Sequence, residues 1–399
     1  MDSLLSGLNV LDFTTLLPGP FATLQLADLG ANILSIESPS RIDGMRLSSP
    51  YINQEEKISS IFAFLNRNKR FLTLDLKKEG SFIIIERLLR SYDIVIEQFR
   101  PGVMDRLGLS YKKLSEINSR IIYCSITGYG QSGPLKDKAG HDVNYLSQSG
   151  VMGYSGRKNT GPVLIGIQVS DILAGSNNAV IAILAAVINR IKTGKGQHID
   201  ISITDGMFPC HAISGIKELN RQGSVDCETE MLNGGSIYDF YKTADDRYIS
   251  IAAIEPQFFN NLCDVLELGD INIKDALRSN DNSKIKRLIA EKIKSNTSDY
   301  WIDKFKDVDA CVDLVLNLRE ALESDHVKER SLLVDVPGPY GGKQRQFACP
   351  MKFSDYDPEY RRYGCAPGED TLEVLKSLNF GDNEIREFKD QGIIDFKYN

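Results

Sequence analysis

The sequence lacks a basic excess, a cysteine pair motif and a glycine-rich phosphate loop, and each absence removes a class of function. Forty-seven basic against 54 acidic residues leave a formal charge of −7, so no global positive field gathers nucleic acid or an anionic membrane surface. An anionic ligand needs a local cluster. The seven cysteines (Cys124, Cys210, Cys227, Cys263, Cys311, Cys349, Cys365) are odd in number, far apart and without a CxxC pair. That pattern argues against a disulfide framework or a metal site and for a reducing compartment. No GxGxxG follows the first apolar run, and GxxxxGK[ST], GxSxG and HExxH are missing throughout, which disfavours a dinucleotide site in the first βαβ unit, a triphosphate site, an elbow-type hydrolase and a zinc protease. Residues 1–7 carry no secretory pattern and residues 395–399 no retention or lipidation signal. The most apolar segment, 179–188, falls well short of the roughly 20 residues a bilayer demands. It reads as a buried helix, and the expectation is a cytoplasmic protein with no membrane or nucleic-acid partner.

What is present describes a folded chain. At 399 residues and 42% hydrophobic, it has material for two to three domains without staples. Residues 9–13 form an apolar run, Pro18-Gly19-Pro20 breaks it, 21–29 has helical spacing ending at Gly30, and 32–36 is apolar again. That is a βαβ unit. The alternation continues with helices at 78–89 and 111–117 and strands at 71–76, 93–97 and 120–127, implying an α/β fold with a parallel sheet covered on both faces. A helix over 172–192, stopped by Gly194, precedes a strand at 197–203. From about Asp205 the texture changes: 237–254 reads as a hairpin around Asp245-Asp246, followed by helices at 258–266, 282–294 and 297–305. We read 1–205 as a large domain, 215–325 as a smaller α+β domain, 336–342 as linker, and the tail as two helices at 369–378 and 382–391.

Candidate chemistry collects near the ends of the buried strands, where open parallel sheets bind ligands. His141, one of four histidines, lies in Gly140-His141-Asp142-Val143-Asn144-Tyr145, after the loop 128–134. It is either a surface-loop residue or a working imidazole. Asp171 opens the long apolar helix. That slot suits a cap, and it equally suits a base or nucleophile held ionised by the helix dipole. Position does not separate the two. Basic residues gather at Asn66-Arg67-Asn68-Lys69-Arg70 and at Arg100 and Arg106 around Pro101-Gly102. They fit a solvated surface or a phosphate-rich ligand.

Several stretches together resemble one family: 5–12, the Pro18-Gly19-Pro20 turn, 26–31, 66–77, Phe99-Arg100-Pro101-Gly102-Val103, Thr127-Gly128-Tyr129-Gly130, Gly194-Lys195-Gly196-Gln197 and Pro367-Gly368-Glu369. The family is that of the family III CoA-transferases and α-methylacyl-CoA racemases, known as CaiB/BaiF. The resemblance implies a Rossmann-like large domain built from both ends of the chain, with 335–399 as the returning segment, a small domain, and an interlocked homodimer. It places an acyl-CoA as substrate, with coenzyme A part of that substrate and no separate cofactor. It also implies CoA contacts from Arg41, Lys69, Leu72, Arg100, Arg106, Tyr129 and Gly130. The family's Arg-Pro step after the second strand is Ser38-Pro39 here, with Arg41 or Arg46 as substitutes.

Within the family this chain looks more similar to the racemases, on His141-Asp142, Asp171 and the Glu255-Pro256-Gln257 segment. The resemblance therefore implies proton transfer at the carbon beside a thioester, with His141 and Asp171 on opposite faces and Asp142 and Glu255 orienting or polarising His141. Asp171 would need its pKa raised by burial. A backbone amide near the start of the Asp171 helix is the simplest donor to the enolate oxygen. The alternative is a CoA-transferase in which Asp171 is acylated through a mixed anhydride and His141 is incidental. A third reading is a non-catalytic CoA-binding protein.

Overall fold

A computed structural model describes residues 3–278 and 283–396. Parts of the sequence readings for 1–7 and 395–399, and position 282 of one expected helix, lie outside the described residues. Two compact units emerge: Met1–Tyr145 with Ile167–Phe208 and Lys328–Asn399, and Leu146–Gly166 with Pro209–Val327. Residues 146–166, which the sequence placed in the large domain, belong to the second unit. The cause lies in Arg157, whose guanidinium pairs with Asp239 at 2.5 Å and Glu228 at 3.1 Å.

The first unit is built on six parallel strands: β1 (Asn9–Asp12), β2 (Asn32–Glu37), β3 (Arg70–Thr73), β4 (Ile94–Glu97), β5 (Ile122–Thr127) and β6 (Gln197–Ser202). Across the sheet they run β3-β2-β1-β4-β5-β6, all in parallel register. This is the doubly wound order, with its switch point between β1 and β4. β4 and β5 are buried at every position, as expected of strands covered on both faces. On one face Leu11, Leu34, Leu72, Val95 and Tyr123 pack against Ile84, Ile85 and Leu88 of helix α2 (Ser81–Leu88).

The other face carries helix α1 (Pro18–Asp28) and a long helix that begins as a π-helical segment, Asp171–Asn177, and continues as an α-helix, Asn178–Thr193. Pro18-Gly19-Pro20 is thus the first turn of α1 and not a break before it, because proline's fixed φ and missing N–H suit that position. The long helix ends at Gly194, which takes φ +72°. Its 23 residues, Asp171–Thr193, are long and apolar enough to cross a bilayer by length and composition. It is only half the buried helix the sequence led us to expect. Ala179, Ile183 and Ala186 are buried, while Ile181, Ile188 and Ile191 are 64%, 55% and 77% exposed.

The second unit holds an antiparallel sheet of β7 (Asp239–Lys242), β8 (Tyr248–Ile251) and β9 (Val312–Leu314), β8 in the middle. Helices Pro256–Leu266, Ser283–Lys294 and Ser298–Phe305 follow the α+β reading, and their apolar faces meet that sheet around Phe259, Ile289 and Trp301.

The returning segment rejoins the first unit. Its expected linker is a hairpin, Leu333–Pro337 against Lys343–Phe347, turned by Gly341 and Gly342 at φ +88° and +75°. Further on, the tail covers the edge strand β3. Asp370 accepts from Phe71 N at 2.8 Å, its own N–H donates to Phe71 O at 3.1 Å, and Thr371 Oγ1 accepts from Thr73 N at 3.1 Å. A Cβ on Gly368 would meet Thr73 Oγ1 at 2.5 Å, so this approach requires glycine.

Candidate active site

In a doubly wound sheet the first helix N-terminus is the usual anion cradle. Here it is closed. Pro18 and Pro20 have no N–H, Gly19 N donates to Gln98 Oε1 at 3.0 Å, and Phe21 N donates to Leu17 O at 2.9 Å. Every first-turn amide is absent or spent, which gives the missing glycine motif a structural counterpart.

The basic cluster 66–70 is neither a solvated surface nor an open phosphate site. Arg67 and Lys69 are buried. Arg67 grips Asp28 with two bonds, 2.8 and 2.6 Å, and donates to Phe347 O. Lys69 Nζ donates to Asn66 Oδ1 at 2.8 Å and Pro20 O at 3.0 Å and lies 3.5 Å from Asp12 Oδ2. Burial lowers the Lys69 pKa, and the nearby Asp12 carboxylate partly restores it. A CoA contact by the Lys69 ammonium is therefore corrected to an internal one. The Leu72 side chain is fully buried in the core, so it offers a ligand no side-chain contact. Arg46, offered as a stand-in for the missing Arg-Pro step, is also fully buried: it pairs with Glu37 at 2.8 Å and lies over the Phe62 ring.

The polar centre lies beyond the carboxyl end of β5. The chain leaves the strand through Gly128, where a Cβ would strike the Tyr145 ring at 2.3 Å, and Gly130, at φ +83°. It returns at Gly140 and His141 into the helix Asp142–Gln148. His141 is exposed; its backbone N donates to Asn144 Oδ1 at 3.0 Å. The carboxylate of Asp142 reaches 28 residues onward: Oδ1 accepts from Ser170 N at 2.7 Å, Ser170 Oγ at 2.6 Å and Asp171 N at 3.0 Å. His141 and Asp171 are thereby drawn to the same residue, one by the peptide chain and one by a hydrogen bond.

Four expectations change here. Asp171 is not the cap of its helix; Asp142 performs that task from outside. Asp142 Oδ1 is committed to Ser170 and Asp171, so the bonds it makes hold the Asp171 backbone and not the imidazole. The amides of Ser170 and Asp171 are occupied by Asp142, so they are not free for an enolate oxygen. Asp171 is not held ionised, either. Burial first, and then the like charge of Asp142, push its pKa up to about 7, as proton transfer requires. The π-helical segment starts at Asp171 itself, and such segments are frequent at functional sites.

Three participants were not foreseen. Ser170, fully buried, joins the two aspartates and was hidden beside a more obvious carboxylate. Tyr145, one turn after His141, donates to Gly140 O at 2.5 Å. Its pKa is raised to about 12 by burial, then by Asp171, Tyr129 and Asp142. Glu97, last in β4, is pushed to about 7 by burial and accepts from Phe99 N at 2.8 Å. Arg41, Arg100 and Arg106 are exposed. Glu255 stands in the second unit, exposed ahead of helix Pro256–Leu266. Among the described residues no group of three or more His, Cys, Asp or Glu is arranged to hold a metal ion.

The pattern of CoA-transferase family III matches residues 5–371. Succinyl-CoA:glutarate CoA-transferase from Homo sapiens is 30% identical, over 98% of this chain and 90% of its own length. Alpha-methylacyl-CoA racemase from Homo sapiens is 31% identical, over 98% and 97%. The crystal structure of a CAIB/BAIF family protein from Brucella suis matches with a TM-score of 0.83 at 29% identity, covering 95% of this chain and all of that one.

Proposed function

The chain belongs to CoA-transferase family III, and from that premise we propose that it racemises or epimerises 2-methylacyl-CoA thioesters by proton transfer between His141 and Asp171. The observation that carries this reading is the bonding of Asp142 Oδ1, next in chain to His141, to Ser170 and to Asp171 N, beside an Asp171 carboxyl that burial and Asp142 raise to about 7. Near neutral pH such a group is present in both forms, as an acid that must also serve as a base requires. Neutral His141 takes the α-proton from one face, and the C–H electron pair passes to the thioester oxygen. Protonated Asp171 then delivers a proton to the other face. In the reverse direction Asp171 is the base and protonated His141 the acid. Asp142 and Ser170 hold the Asp171 backbone in place meanwhile. Exposed Arg41, Arg100 and Arg106 serve the CoA phosphates, and the apolar outer stripe Ile181, Ile188 and Ile191 suits a second copy of the chain.

The alternative, a CoA-transferase with Asp171 as nucleophile, draws on transferase relatives at 30% and 31% identity. Incubating the protein with a 2-methylacyl-CoA in deuterium oxide, without an acceptor acid, separates them. The expected result is deuterium at the α-carbon, read by mass spectrometry. No α-exchange, together with CoA transfer once a carboxylic acid is added, overturns the racemase reading.

A further inference from the structure

Among the described residues, four buried side-chain atoms lack a hydrogen-bond partner, and three lie within five residues at the carboxyl end of β5: Thr127 Oγ1, Tyr129 Oη and Gln131 Nε2. An unpaired buried polar group is costly, so its persistence calls for a reason. Of the three, Tyr129 stands beside the base. A Cβ built on Gly140, the residue before His141, would fall 2.9 Å from Tyr129 Oη. The Tyr129 ring is 7% exposed and packs edge-on against Tyr145, centroids 5.3 Å apart. Tyr145 has already committed its hydroxyl to Gly140 O, and the Ser170 and Asp171 amides are bound to Asp142.

We propose that the Tyr129 hydroxyl is a catalytic donor to the thioester oxygen of the substrate. The inference rests on the racemase reading above. As the α-proton leaves, negative charge grows on that oxygen. The donor is fixed by ring packing and has no partner to abandon, so only the Gly140 backbone and the Tyr145 ring beside it must yield for it to stabilise the charge. The hydroxyl left unsatisfied in the free protein is then satisfied in the complex. No bond to Tyr129 forms or breaks; its O–H hydrogen is shared with the oxygen and kept.

The test is Tyr129→Phe, assayed by α-deuterium exchange on a 2-methylacyl-CoA and by thermal unfolding. The expected kcat falls about a hundredfold, the lower end of the range for loss of one oxyanion donor, with KM within about threefold. The thermal midpoint should equal or exceed that of the wild type, because the deleted hydroxyl has no partner to lose. Exchange at the wild-type rate overturns the proposal. So does a lower midpoint with kcat and KM moving together, which marks a structural residue. Absence of exchange in the wild type itself overturns the racemase reading and this inference with it, whereas a silent substitution in an active enzyme removes Tyr129 alone.

Discussion

At the carboxyl end of β1, Asp12 accepts from Thr14 N and Oγ1 and from Thr23 Oγ1, with Lys69 beside it, while Arg67 saturates Asp28 nearby. These polar side chains are buried and satisfied. At the carboxyl end of β5, similar residue types are left otherwise: three buried atoms have no partner, Asp171 is pushed toward neutrality, and Asp142 is turned on backbone and hydroxyl donors and not on a cation. Beside β1, charge joins parts of the chain. Beside β5, hydrogen-bonding capacity is kept in reserve. Buried polarity by itself therefore does not mark a site; unspent buried polarity does.

The contrast breaks most severely if Arg67 proves dispensable. Arg67→Met leaves Asp28 buried without its cation and should cost about 3–5 kcal/mol of stability, read by urea unfolding. Unaltered stability with a raised KM would move Arg67 into the ligand site. Asp171→Asn should do the opposite, lowering α-exchange by about a hundredfold to ten-thousandfold while the fold holds. The sign of its pH dependence sharpens the point. A carboxyl near 7 in the folded chain and about 4 when unfolded binds its proton more tightly in the native state, so its contribution to stability is lost as pH climbs from about 4 through 7. The D171N variant should thus match the wild type near pH 4 and melt higher at pH 8. Equal melting at both would mean the carboxylate is not strained by burial. The smallest effect belongs to Arg106, which is exposed. Arg106→Ala should raise the KM for acyl-CoA about threefold to tenfold with kcat unchanged, and less at high salt. A change confined to kcat would place this arginine in the chemistry.

Much of the sheet was legible because buried parallel strands announce themselves as short apolar runs: 93–97 and 120–127 fell within two residues of β4 and β5. The tail hairpin was missed because Pro337 and the glycines after it read as linker, although an edge strand tolerates a terminal proline. Arg67 and Lys69 were misjudged for a different reason. A run of charges does not disclose its partners, and Asp28 lies 39 residues from Arg67. His141 and Asp171 were visible as residues, the former by its rarity and both by resemblance. Their linkage was not, since the Asp142–Ser170 contact exists only once the chain has folded. No local pattern signals a π-helical turn, and no pattern reports that a tyrosine hydroxyl has been left without company.

The docking of Asp370 and Thr371 on β3 has a bearing on how the protein is made. A ribosome completes all six strands of the large sheet by residue 202, yet Asp370, which covers β3, follows about 168 residues later. Until then that strand presents bare N–H and C=O groups, the template on which sheets add foreign strands. Translation at about 5–20 residues per second leaves such an edge uncovered for on the order of ten seconds or more. The nascent chain is therefore most open to misassociation while the second unit emerges.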